Sequence, residues 1–126
     1  MMGIDTSAVI DLFHGHEGIG RLLSACSRDI VLCRAMYLEF VLGVKPVEQH
    51  TLELLDTLFS EHLVLELTAT VCKLATALRW QQQRKGKPSS VMDLVIASSY
   101  LAHGVHEIIS NDKHFDAIPG LKRIGY

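Results

Sequence analysis

Four acidic residues are hard to dismiss as ordinary surface charge: Asp5 in IDTSAVID, Glu39 in YLEFVLG, Asp93 in SSVMDLVIAS and Asp112 in SNDKHF. At the helical i±3 and i±4 positions Glu39 has only Ala35, Met36, Leu42 and Gly43, so no cation on its own helix neutralises it. Asp93 opens an apolar helix, with Ser89 and Ser90 behind it and Ile96 and Ala97 ahead, and it too lacks a cation. Each acid has an ordinary structural explanation. Asp5 can be an N-cap, Asp112 an Asx-turn residue, Asp93 the third member of a Ser90-x-x-Asp93 capping box, and Glu39 half of a tertiary salt bridge. Together they point elsewhere, because four carboxylates brought to one place repel unless a cation sits between them. A carboxylate set without cysteine or a fixed histidine suits Mg2+ or Mn2+, hard ions that prefer oxygen and bridge phosphates. Such a site hydrolyses a phosphodiester with water alone and needs no nucleophilic side chain.

The elements around these acids alternate. Short apolar runs at MMGI, DIVLC (Asp29 to Cys33), LVLEL and HEIIS predict strands, and LKRIG predicts a last edge strand. Between them lie helical patterns: one capped by Asp5 or Thr6 and running through Leu12, then GIGRLLSACS, RAMYLEFVLGV, and VEQHTLELLDTLFSEH with Pro46 near its start. A long helix from about Thr68 to Arg84 is stopped by KGKP. The last helix starts at Ser90, with Val91, Leu94, Val95, Ser98, Leu101 and Ala102 on one face and Gly104 as a left-handed cap. Strands separated by helices imply an α/β fold, a mainly parallel sheet of four or five strands between two helical layers. Ligands of such sheets gather beyond the carboxyl ends of the strands, where Asp5 and Asp112 fall.

At 126 residues the chain is expected to form a single domain spanning residues 1–126, large enough for a core without disulfides. Its net charge of −2 gives no global attraction to nucleic acid, so any polyanion needs a local basic patch. Arg84, Lys85 and Lys87, leading directly to Asp93, supply one that can hold the phosphates of a polyanion, although a solvated helix end explains each singly. Trp80 nearby fits a core or interface position better than base stacking. Cys26, Cys33 and Cys72 are odd in number and widely spaced, which argues against a disulfide framework and fits a reducing cytoplasm. Asp5 and Asp11 interrupt any signal peptide, and VMDLVIASSYLA is too short to span a bilayer. His14 and His16 form an H-x-H without a third ligand and read as solvated, while His103 and His106 sit where a helix dipole favours cations.

In this order, IDTSAVID, the Glu39 of YLEF, RKGKPSSVMDLVIAS and SNDKHFDAIPGL resemble the PIN domain over essentially the whole chain, and within it the small VapC-like ribonuclease toxins. The resemblance implies a three-layer α/β/α fold and a Mg2+-dependent or Mn2+-dependent endoribonuclease. Its acidic quartet would be Asp5, Glu39, Asp93 and Asp112, with Asp5 and Asp93 as primary metal ligands and Ser7 and Ser110 as polar supports. Phe115, Ile118 and Leu121 would anchor the turn, and Asp116 would be solvated. Two departures stand out: Ser110 occupies a position where threonine is commoner, and His114 one where many relatives carry another aspartate, which favours one metal over two. The resemblance further implies a cognate antitoxin whose tail covers the apolar helices around Leu38 to Phe59, and a structured tRNA or ribosomal RNA loop as substrate. The wide apolar stripe formed by Leu52, Leu54, Leu55, Leu58 and Phe59 suggests a homodimer. A housekeeping PIN nuclease and a non-catalytic PIN-like binding module are the alternatives. A phosphorelay receiver would need an acceptor aspartate after a central strand, where Asp56 does not fall.

Overall fold

The computed structural model describes residues 1–45, 48–86 and 88–126. Five strands, β1 (Met2–Ile4), β2 (Ile30–Cys33), β3 (Val64–Leu65), β4 (Glu107–Ile109) and β5 (Lys122–Ile124), form one sheet in the order β3-β2-β1-β4-β5. Every pairing is parallel, with Met2 opposite Ile30, Gly3 opposite Ile108, Leu32 opposite Val64 and Glu107 opposite Lys122. Among the described residues six α-helices cover the sheet in a three-layer arrangement: α1 (Thr6–Phe13), α2 (Glu17–Ala25), α3 (Arg34–Leu42), α4 (Gln49–Ser60), α5 (Ala69–Arg84) and α6 (Val91–Leu101). A 3₁₀ helix, Lys113–Ala117, leads into β5. Among the described residues no helix is long and apolar enough to cross a membrane.

The central strand is β1, flanked by β2 on one side and β4 on the other, so the connections reverse direction there. That reversal opens a crevice at the carboxyl ends of β1 and β4, the place such sheets use for ligands. The core beneath it is built from Ile4, Val31, Leu32, Ile108 and Ile109 on the strands, with Met36 of α3 and Ile96 of α6 packed over them, all at most 2% exposed.

Two close contacts fix the crevice floor. The Tyr100 hydroxyl accepts a hydrogen bond from the Ile4 N–H (3.1 Å) and donates one to the Ile4 carbonyl (2.6 Å), directly before Asp5. The ring passes so near β1 that a Cβ on Gly3 would lie 2.6 Å from it, which only glycine tolerates.

Some boundaries differ from the sequence reading. β3 keeps only two residues of LVLEL, because Leu63 and Leu67 are half exposed at this edge of the sheet. Gly104 has φ +73°, as expected of a left-handed cap. Val91 lies outside the buried face expected for it, at 62% exposed, because α6 is enclosed on most sides further along and its first turn is not. Trp80 is 65% exposed and so is not a core residue. Pro46, expected near the start of a helix, lies outside the described residues; α4 begins at Gln49.

Candidate metal and nuclease site

Asp5 directly follows β1 and caps α1. One carboxylate oxygen, Oδ1, accepts the Ala8 N–H at 2.8 Å, while Oδ2 accepts the hydroxyls of Ser110 (2.6 Å) and Ser7 (2.9 Å). The residue is 3% exposed. Burial raises its pKa and the nearby charge of Asp112 adds to that, while the hydrogen bonds from Ser110, Ala8 and Ser7 oppose it. The ordinary N-cap explanation and a place in an acidic site therefore hold at once, since the cap uses only one of the two oxygens.

Ser110 directly follows β4 and links the two sides of the crevice. Its hydroxyl donates to Asp5 and accepts the Asp112 N–H at 2.9 Å. Asp112 opens the 3₁₀ helix, its Oδ1 accepting the His114 N–H at 2.9 Å. The turn is anchored by Phe115, Ile118 and Leu121, all buried as expected. Asp116 is not simply solvated: it pairs with Arg123 (2.9 Å), whose guanidinium also donates to the Ser110 carbonyl and so braces the loop from β5.

Asp93 arrives from the opposite side, in the first turn of α6, where Ser90 accepts its N–H at 3.1 Å. The start of α6 is itself held by Gln82 of α5, which accepts the Ser89 N–H (2.7 Å) and donates to its hydroxyl (2.8 Å). Burial raises the Asp93 pKa; a hydrogen bond from Ser90 opposes it, the charges of Asp112 and Glu39 raise it further, and His114 lowers it. Glu39 reaches this neighbourhood because α3 packs against α6. It is half buried, and among the described residues it has no ion-pair partner, so the salt bridge that would make it ordinary is missing. With Ser7 it lines a groove of about 600 Å3 whose apolar wall includes Ile10, Phe13, Phe40, Val44 and Leu54.

Ligand atoms of Asp93, Asp112 and His114 all lie within 4.8 Å of one another. The donor set, two carboxylates and an imidazole with further acids behind them, fits a divalent cation. Asp5 stands behind that group, joined to Asp112 through the Ser110 hydroxyl, which donates to Asp5 Oδ2 and accepts the Asp112 N–H. Of the basic residues, Arg84 and Lys85 are exposed at the end of α5, and Lys87 lies outside the described residues.

Sequence reasoning missed three supports. Gln82 was hidden in a polar QQQR run, yet it continues the buried stripe of Val71 and Leu78 at helical spacing. Tyr100 carried no signal of its polar role. The third is a clamp in which the Asn111 side chain accepts the Tyr126 N–H (2.8 Å) and donates to its carbonyl (2.9 Å), tying the loop between Ser110 and Asp112 to Tyr126, two residues beyond β5. His16, read as solvated, caps α2 through Nδ1, and His14 is exposed.

Comparison with known proteins agrees with this fold. A search of curated proteins finds no significant match. Among solved structures, the chain is similar to one in VapBC2 from Rickettsia felis bound to a promoter DNA fragment, with 21% identity, TM-score 0.85 and coverage of 99% of this chain and 98% of that one. It is similar to a chain of DNA-bound VapBC from Salmonella typhimurium at 19% identity, TM-score 0.84 and the same coverages, 99% and 98%. Similarity to the sarcin-ricin loop cleaving toxin VapC20 of Mycobacterium tuberculosis is 15% identity, TM-score 0.73, covering 93% of this chain and 94% of that one. These likenesses are of fold. The PIN domain family matches residues 2–121, and the chain belongs to that family.

Proposed function

We propose that this protein is a metal-dependent endoribonuclease and the toxin of a toxin–antitoxin pair, working as one nuclease domain over residues 1–126 in the cytoplasm. The observation that carries the reading is the meeting of Asp93 and Asp112 at the carboxyl edge of β1 and β4, with the pKa of Asp93 raised by burial and by the charges of Asp112 and Glu39. Asp93 and Asp112 would hold Mg2+ or Mn2+, with Asp5 and Glu39 completing the quartet. When bound, the ion supplies Lewis acidity for phosphodiester hydrolysis. The chain's own residues set the geometry. Ser110 fixes Asp112 against Asp5, Ser7 holds the second oxygen of Asp5 in place, and Glu39 and Asp112 orient the attacking water. Arg84, Lys85 and Lys87 hold backbone phosphates without reading bases.

A structured RNA, a tRNA or ribosomal RNA loop, is the favoured substrate, since a protein of the same fold is described as cleaving the sarcin-ricin loop. Several similar structures are complexes named as toxin–antitoxin or VapBC assemblies. The groove beside Glu39 has the form an antitoxin tail needs: an apolar wall for packing and, next to it, carboxylates that a basic side chain can neutralise. Sequencing 5′ ends of RNA from cells briefly expressing the wild type or Asp93→Asn tests the reading. A few reproducible cuts in structured RNA, absent with the variant, are expected, with growth arrest that the neighbouring gene product relieves. Cuts confined to DNA, or a harmless soluble wild type whose neighbouring product neither binds nor inhibits it, would overturn it.

A further inference from the structure

His114 touches the acids rather than the solvent alone. Its backbone N–H and its ring Nδ1 both lie 2.9 Å from Asp112 Oδ1, which folds the side chain back over the carboxylate. A ring nitrogen is thereby placed within 4.8 Å of a carboxylate oxygen of Asp93 as well as of Asp112. Ions with ligand bonds of about 2.0–2.2 Å hold their ligands roughly 3 to 4 Å apart, so small side-chain rotations close the set. Such rotations are open to it: the His114 side chain is 82% exposed, and no other side chain hydrogen-bonds to its ring among the described residues. Asp112 Oδ2 accepts no hydrogen bond there either, leaving it available to an ion.

We propose that His114 is a metal ligand, so that the site takes a nitrogen-accepting transition ion, for which Mn2+ serves as the probe, in preference to Mg2+. Imidazole suits first-row transition ions, whereas Mg2+ demands oxygen and gives up its water reluctantly. The expectation of a pure carboxylate site drawn from the sequence therefore changes: where a further aspartate would add charge and favour Mg2+, histidine adds a softer donor and no negative charge. This inference rests on the acids forming a metal site, as the proposed nuclease function requires.

Titration calorimetry with Mn2+ and with Mg2+, at one pH, on the wild type, His114→Ala and Asp93→Asn tests it, together with pulsed EPR of bound Mn2+. The wild type is expected to bind Mn2+ at least about tenfold more tightly than Mg2+ and to show nitrogen-14 coupling to the ion. His114→Ala should lose that coupling and weaken Mn2+ about tenfold, with Mg2+ affinity held within about a factor of two. The exposed position leaves the fold intact, which far-ultraviolet circular dichroism checks. Mn2+ binding that depends on Asp93 but shows no nitrogen coupling, or an equal loss for both ions in His114→Ala, would overturn the role of His114 and leave the nuclease reading standing. Binding of neither ion in an Asp93-dependent way would sink both.

Discussion

The charge on Asp93 is opposed by its surroundings: burial first, then Asp112 and Glu39, with Ser90 and His114 only partly offsetting them. Its pKa in the folded chain therefore lies above the ordinary 3.8. A raised folded-state pKa means that the unfolded chain ionises more readily, so the metal-free protein loses stability as pH rises past the ordinary aspartate range and regains it at lower pH. Asp93→Asn removes that penalty. In chelator near neutral pH the variant should melt at or above the wild-type temperature, and the difference should vanish as the pH falls below the ordinary aspartate value of 3.8, as differential scanning calorimetry would record. A variant melting well below the wild type near neutral pH would show that the carboxylate stabilises the fold. At this scale most of the candidate site was legible, because unpaired acids in apolar helices are visible in the sequence. The orientation of the His114 ring was not, since it depends on the turn that Asp112 and the 3₁₀ helix make together.

Elements place these residues through contacts that periodicity does not reveal. The stripe reading of α6 located Leu94 and Ser98 on its buried side, but a helix buried on most sides has no single face, and Tyr100 was missed for that reason. Likewise Gln82 looked like part of a solvated end, although its hydrogen bonds to Ser89 set the start of α6. The parallel direction followed from alternation of strands and helices, whereas the strand order and the length of β3 depended on long-range pairing and edge exposure that no local pattern encodes. Tyr100→Phe tests the importance of the crevice floor. It removes the group that satisfies both the Ile4 N–H and its carbonyl, so a loss of about 1–3 kcal/mol in urea unfolding is expected. A loss below about 0.5 kcal/mol would mean that water replaces the hydroxyl there.

On the scale of the whole molecule, exposed leucines cluster on neighbouring helices: Leu38 and Leu42 on α3, 50% and 74% exposed, and Leu54 on α4, 39% exposed. Adjacent helices with apolar outer positions favour a symmetric pair, and we propose that the chain is a homodimer. Sedimentation velocity should show a dimer at micromolar concentration that Leu42→Arg dissociates; a wild type that stays monomeric would contradict it. In the proposed function the carboxylates gathered beside β1, β4 and the start of α6 are the groups that cut RNA. Purified wild type, Asp93→Asn and Asp112→Asn, each incubated with a structured RNA in Mn2+ and in chelator, test it most directly. Site-specific cleavage by the wild type alone, abolished in chelator and by either substitution, is the predicted result; cleavage that persists in pure Asp93→Asn or in chelator would contradict it.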